Sequence, residues 1–250
     1  MAVAIFSVFV YAVKPGRPST VILLTNLSAV ASAAVAFAGG LNIIRRRPDI
    51  QAPGAWLWLT VGLGLFLAGE ISWAFQEVVL GIKSPFPSVA DIFWLAGYPP
   101  LMIGLVIAWR QLDIALRGGE ILAIGVGAGA AVTAGAFWLL IPIATAPKLP
   151  PLEKILDFAY PLADILLIIP AVALALIFGR SLLGRPWRLI CVGLVFMGLA
   201  DFSFAYLTWN NMYASQSGNL IDLLWVVGYL TIAAGAFYYD QVMNGLRIRP

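Results

Sequence analysis

Seven of the twelve acidic side chains, Glu70, Glu77, Asp91, Asp157, Asp164, Asp201 and Asp222, fall within or at the edges of long apolar runs. A carboxyl group at the centre of a bilayer costs about 2.5–3.5 kcal/mol on insertion scales, so each of them asks for a reason. No Lys or Arg sits at the centre of a run to pair with them. The rest of the chemical inventory is narrow. The chain has no histidine and one cysteine, Cys191, itself inside an apolar run. That removes imidazole bases and ligands, a thiolate metal cluster and a disulfide framework. No nucleophile–base pair and no metal-ligand spacing is visible, so the expectation is a protein that is not an enzyme, with no catalytic and no metal-binding residues. What remains for the acids is to line a polar pocket, to hold a cationic or amphipathic ligand, or to join helices as hydrogen-bonding partners.

Spacing sorts these acids. Glu70 and Asp201 lie in the middle of their runs, where a structural bond to a serine or tyrosine and a pocket-lining role are both open. Asp157 and Asp164 are seven apart with Tyr160 between them on roughly one helical face, which predicts a polar stripe. Asp91 and Asp222 each close a capping box, Ser88-Val89-Ala90-Asp91 and Asn219-Leu220-Ile221-Asp222. A carboxylate there satisfies backbone donors and complements the helix dipole, with a pocket wall as the alternative. Trp73, Tyr98 and Tyr229 complete the candidate ligand-binding set, because aromatic faces beside acids suit a cation. Trp56, Trp58, Trp109, Trp187 and Trp209 read as an interfacial belt. Gly39-Gly40 and the run Gly125–Gly129 read as close helix contacts.

The elements that must position these residues are membrane helices. Of 250 residues, 62% are hydrophobic and 11% charged, against about 25% charged in a soluble domain. A span needs about 20 apolar residues, and seven are predicted near 19–44, 55–80, 89–109, 119–145, 155–178, 186–208 and 219–240. Residues 1–13 are apolar but short and read as an abbreviated eighth helix. The fold class is therefore all-α, a polytopic transmembrane bundle of seven to eight spans. Ten basic residues (Arg45, Arg46, Arg47, Arg110, Arg117, Arg180, Arg185, Arg188, Arg247, Arg249) fall on one side, and five (Lys14, Arg17, Lys83, Lys148, Lys154) on the other. The positive-inside rule then predicts a cytoplasmic C-terminus and a multi-pass protein of the cell membrane. The net charge of +3 reports orientation, and no nucleic-acid partner is expected.

Residues 61–98 align without a gap on 192–229, at an offset of 131, with 10 identities in 38 positions. Val61-Gly62-Leu63 meets Val192-Gly193-Leu194, Glu70 meets Asp201, Ser72 meets Ser203, Asp91 meets Asp222, Trp94 meets Trp225 and Gly97-Tyr98 meets Gly228-Tyr229. Matched Asp, Trp and Tyr are not what low-complexity apolar sequence supplies by chance. The expected organisation is two parallel four-helix repeats, 1–115 and 116–250, with a site between them.

The stretch Gly69-Glu70-Ile71-Ser72-Trp73-Ala74-Phe75-Gln76-Glu77, followed by Pro85-Phe86-Pro87-Ser88-Val89-Ala90-Asp91-Ile92-Phe93-Trp94-Leu95-Ala96-Gly97-Tyr98-Pro99, resembles the multi-helix N-terminal membrane regions of bacterial signalling proteins. So do Asp157-Phe158-Ala159-Tyr160-Pro161-Leu162-Ala163-Asp164 and Asn219 to Tyr229. Such regions precede diguanylate cyclase, cyclic-di-GMP phosphodiesterase or histidine kinase domains. The resemblance implies a sensory module that receives a small-molecule or lipid ligand and signals through its cytoplasmic end. The sequence closes at Arg247-Ile248-Arg249-Pro250 without such an output domain. The reading is then an excised module, or a relative that acts through a partner protein. Two alternatives stand beside it: a transporter of a cation or cation-coupled solute, and a structural subunit of a larger membrane complex.

Overall fold

The computed structural model describes residues 2–46, 53–82, 85–111, 118–146, 150–178, 184–210, 212–213 and 219–247. Arg47, Lys83, Arg117, Lys148, Arg180, Ile248, Arg249 and Pro250, all used above, lie outside them. The described residues are helical, with no strand among them. In order they are α1 (Ala2–Val13), α2 (Pro18–Arg46), α3 (Pro53–Ala74), α4 (Val89–Gln111), α5 (Gly118–Gly135), α6 (Ile141–Thr145), α7 (Pro151–Phe178), α8 (Gly184–Trp209) and α9 (Leu223–Arg247). A π-helical turn, Phe75–Val79, prolongs α3; another, Ala136–Leu140, joins α5 to α6; a 3-10 turn, Leu220–Asp222, leads into α9.

Seven stretches are long and apolar enough to cross a bilayer: Pro18–Arg46, Pro53–Val79, Val89–Arg110, Leu122–Thr145, Pro151–Leu176, Gly184–Trp209 and Leu220–Gly245. The chain is thus an all-α integral membrane protein. In hydrocarbon every backbone N–H and C=O must be satisfied within the segment, which is why these runs become helices. Pro18, Pro53 and Pro151 open three of them, at the position where a missing N–H costs nothing and a fixed φ helps. The twelve residues of α1 rise only about 18 Å, short of the ~30 Å core. This helix packs against α2 and α9. The turn after it uses left-handed backbone at Lys14 and Gly16.

The closest neighbours are α3 with α4 and α8 with α9. Both pairs meet glycine to glycine. A Cβ on Gly62 would stand 3.0 Å from the Gly97 carbonyl, and one on Gly193 would stand 2.6 Å from that of Gly228. A turn or two away, Gly104 abuts the Ala55 carbonyl (3.1 Å) and Gly235 that of Pro186 (2.7 Å). Each of these contacts recurs 131 residues later. Without a hydrophobic force between helices in lipid, close backbone approach at small residues is what holds them. The α2 helix lies on α3 and α9, with Gly39 against Ala236 and Gly40 against Thr60; α7 lies on α8 and α4.

Two expectations are corrected. Trp56 and Trp187 do not face outward as a belt would: both are 2% exposed, their rings meet at 5.0 Å with a tilt of 43°, and Tyr239 covers Trp56 at 4.9 Å. They sit 131 residues apart, so two equivalent faces meet there. Gly125, Gly127 and Gly129 make no close contact: a Cβ on any of them meets nothing within 4 Å, because α5 packs mainly along α7 and turns its other sides outward.

Candidate functional site

The mid-span acids converge between the helices, and tyrosines hold them. Tyr229 Oη on α9 donates to Glu70 Oε1 on α3 at 2.9 Å. Tyr98 Oη on α4 lies 3.0 Å from Asp201 Oδ2 on α8 and 2.7 Å from Asp164 Oδ1 on α7. The pattern is crossed. The tyrosine of the C-terminal stretch serves the acid of the N-terminal stretch, and the tyrosine of the N-terminal stretch serves the acid of the C-terminal one. Tryptophans bond on their own side: Trp225 Nε1 donates to Asp201 Oδ1 at 2.8 Å, and the Trp94 indole stands beside the Glu70 carboxyl. Each Trp precedes its Tyr by four residues, one helical turn, so both reach the site from one face.

Val89 and Leu220 open the two spans that carry the tyrosines. Tyr98 and Tyr229 lie nine residues further on, roughly 13 Å in from that end. Tyr98, Tyr229 and Asp164 are buried, Asp164 to 1% exposure. Glu70 and Asp201 are half-buried. Rings close the surroundings: Phe66 meets Tyr98 edge-on at 5.5 Å, Tyr160 meets it at 6.5 Å, and Trp73 lies 5.6 Å from Trp94.

Nearer the end of the bundle the capping acids form a second layer. Asp91 Oδ2 accepts from the Ser88 N–H at 2.6 Å, and Ser88 Oγ accepts from Ala90 N–H at 3.1 Å. Asp222 Oδ2 accepts from the Asn219 N–H at 2.8 Å, within a complete capping box. Each keeps one oxygen for a tyrosine: Tyr160 Oη donates to Asp91 Oδ1 at 2.7 Å, and Tyr213 Oη to Asp222 Oδ1 at 3.1 Å. Burial first, and then the Asp222 carboxylate, push the Tyr213 hydroxyl well above its ordinary pKa, which keeps it a donor. Glu77 accepts from Asn26 Nδ2 at 2.8 Å.

Of the ten candidates, Glu70, Asp164, Asp201, Tyr98 and Tyr229 come together in one place. Asp91 and Tyr160 pair one layer out and touch the centre through the Tyr160 ring. Asp222 belongs to a separate pair, Trp73 reaches the site only through Trp94, and Asp157 stays half-buried toward the end of α7. Along α7, Tyr160 and Asp164 bond different partners, Asp91 and Tyr98. Sequence reasoning passed over Asn26 and Tyr213 as partners of these acids; Asn26 stood out only as the counterpart of Asp157, and Tyr213 carried no signal. An open hollow of about 520 Å³ lies elsewhere, on α5 between Gly129, Thr133, Phe137 and Trp138, and none of the candidates lines it. Among the described residues no group of three or more His, Cys, Asp or Glu gathers as a metal site would require. Comparison with protein-family models, with curated proteins and with solved structures gave no match.

Proposed function

We propose that this chain is a membrane sensory module, in which the carboxyl–tyrosine network is the receiving element and α9 the transmitting one. The observation that carries the reading is the crossed bonding of Tyr98 and Tyr229. A perturbation of either acid is felt by a tyrosine from the opposite stretch, and Tyr229 is on the last helix. The resemblance to signalling membrane regions supports the same reading. The basic residues at the far end of α9 and its neighbours favour a cytoplasmic end for the signal, in the cell membrane. A ligand shifts such a module only if it prefers one packing over the other. The ligand class that suits half-buried acids among aromatic rings is a cationic or amphipathic small molecule or lipid. The test attaches a diguanylate cyclase after Arg249 and measures its activity in membranes. Glu70→Gln, Asp201→Asn and Tyr229→Phe should each change output several-fold. Unchanged output in all three, across conditions, would remove the reading.

The half-buried mid-span acids Glu70 and Asp201, with no Lys or Arg at a span centre, favour one other reading, passage of a cation or cation-coupled solute. In proteoliposomes that reading requires a flux that falls with Glu70→Gln or Asp201→Asn; its absence removes it.

A further inference from the structure

The hydroxyl of Tyr98 stands between two carboxyl groups, 2.7 Å from Asp164 Oδ1 and 3.0 Å from Asp201 Oδ2. A phenol carries one hydrogen, and ionised carboxylates only accept. That hydrogen serves one of the two contacts. The other joins two acceptor oxygens unless a carboxyl brings a proton of its own. The same shortage shows twice more. Asp164 and Asp201 face one hydroxyl from either side, close enough that two charged carboxylates would repel each other. And Asp164 Oδ2 is buried with no hydrogen-bond partner among the described residues, on a side chain 1% exposed. A bare acceptor in such a place is costly.

Among the described residues, the surroundings offer no cationic side chain to make up the deficit. From α4 comes Tyr98, from α9 Trp225, bonded to Asp201 Oδ1, and Tyr229, bonded to Glu70 of α3. From α7 itself comes Tyr160, bonded to Asp91 of α4. The described side chains of α5, of the turn after it and of α6 include no titratable group. The N-terminal stretch holds an internal control. The counterpart of Asp164 is Ala33, so no second acid shares the tyrosine of Glu70, and the Tyr229 bond balances without an extra proton.

We propose that Asp164 and Asp201 form a proton-binding site: the pair holds one exchangeable proton between α7 and α8, and the Tyr98 hydroxyl of α4 bridges it. The site goes beyond the sensory reading and stands whatever the output of the protein is.

The test is infrared spectroscopy of the full chain in lipid at neutral pH, in H2O and D2O, in choline salt. The expected result is a protonated-carboxyl C=O band that shifts on deuteration, persists in Glu70→Gln, disappears in the Asp164→Asn/Asp201→Asn double variant and moves in Tyr98→Phe. The amide bands of the same spectra report whether each variant is folded, and Tyr98→Phe, which keeps every ring contact, tests the site should the double variant fail. A wild type with no such band overturns the proposal, as does a band that survives in a folded double variant or stays in place in Tyr98→Phe. Loss of the band when sodium replaces choline at fixed pH would also overturn it, by reassigning the site to a metal cation.

Discussion

Replacing Tyr98 by phenylalanine removes one oxygen and leaves the ring in its contacts with Phe66 and Tyr160. The oxygen lost is shared by Asp164 and Asp201. Asp201 keeps Trp225, whereas Asp164, 1% exposed, is left with no donor among the described residues. An acceptor stranded in this way costs about 1–3 kcal/mol, and interhelical bonds in membranes average about 0.6 kcal/mol each. Tyr98→Phe should therefore cost about 2–3 kcal/mol. Tyr229→Phe removes one bond, to a Glu70 that is half-buried and has Trp94 beside it, and should cost about 0.6–1 kcal/mol. Equilibrium unfolding in mixed detergent micelles, followed by helical circular dichroism, measures both. Equal losses, or a larger loss for Tyr229→Phe, would refute the claim that Tyr98 is the shared partner of two acids.

Other substitutions test the packing and the caps. Gly193→Ala places a methyl 2.6 Å from the Gly228 carbonyl and should cost about 1–3 kcal/mol in the same assay, while Gly125→Ala, with open space around it, should be neutral or stabilising by up to about 1 kcal/mol. Ser88→Ala removes the oxygen that accepts from Ala90 N–H and should cost about 0.5–2 kcal/mol. Tyr213, in the connection before α9, gives a pH dependence. Its hydroxyl pKa is raised by burial and then by Asp222 above the ordinary 10.0. Its contribution to stability is complete below pH 10.0 and is lost as pH climbs past that value. Tyr213→Phe should flatten the fall in stability in that alkaline window and, by removing the bond to Asp222, lower stability at neutral pH by about 0.5–1.5 kcal/mol.

The spans were legible because bilayer thickness demands an uninterrupted apolar run of fixed length; the predicted runs lie within a few residues of the helices observed, except the last, which continues past 240 to Arg247. The capping boxes at Asp91 and Asp222 were legible for an equally local reason, a carboxylate three residues beyond the cap. What a single stretch could not reveal was which side of a helix meets which neighbour. Trp56 and Trp187 stand near span ends and so read as an interfacial belt, yet both face inward. Their offset of 131 held the clue, since equivalent residues beside an axis meet each other. The glycine run in α5 read as a contact surface because its composition is that of one, but the helix packs mainly on α7 and leaves those glycines uncovered. At the site, the acids and their tyrosines were nameable, but the crossing was not. Tyr98 and Tyr229 follow Glu70 and Asp201 by the same 28 residues, which suggests partners within a stretch; only the packing of α2 on α9 and of α7 on α4 brings each tyrosine to the other acid.

The crossing is best tested by four double-mutant cycles of stability in lipid-like micelles. Tyr98→Phe with Asp201→Asn and Tyr229→Phe with Glu70→Gln should each show coupling of about 0.6–1.7 kcal/mol. The uncrossed combinations, Tyr98→Phe with Glu70→Gln and Tyr229→Phe with Asp201→Asn, should add to within about 0.5 kcal/mol. Coupling in the uncrossed pairs and additivity in the crossed ones would contradict the account at its centre.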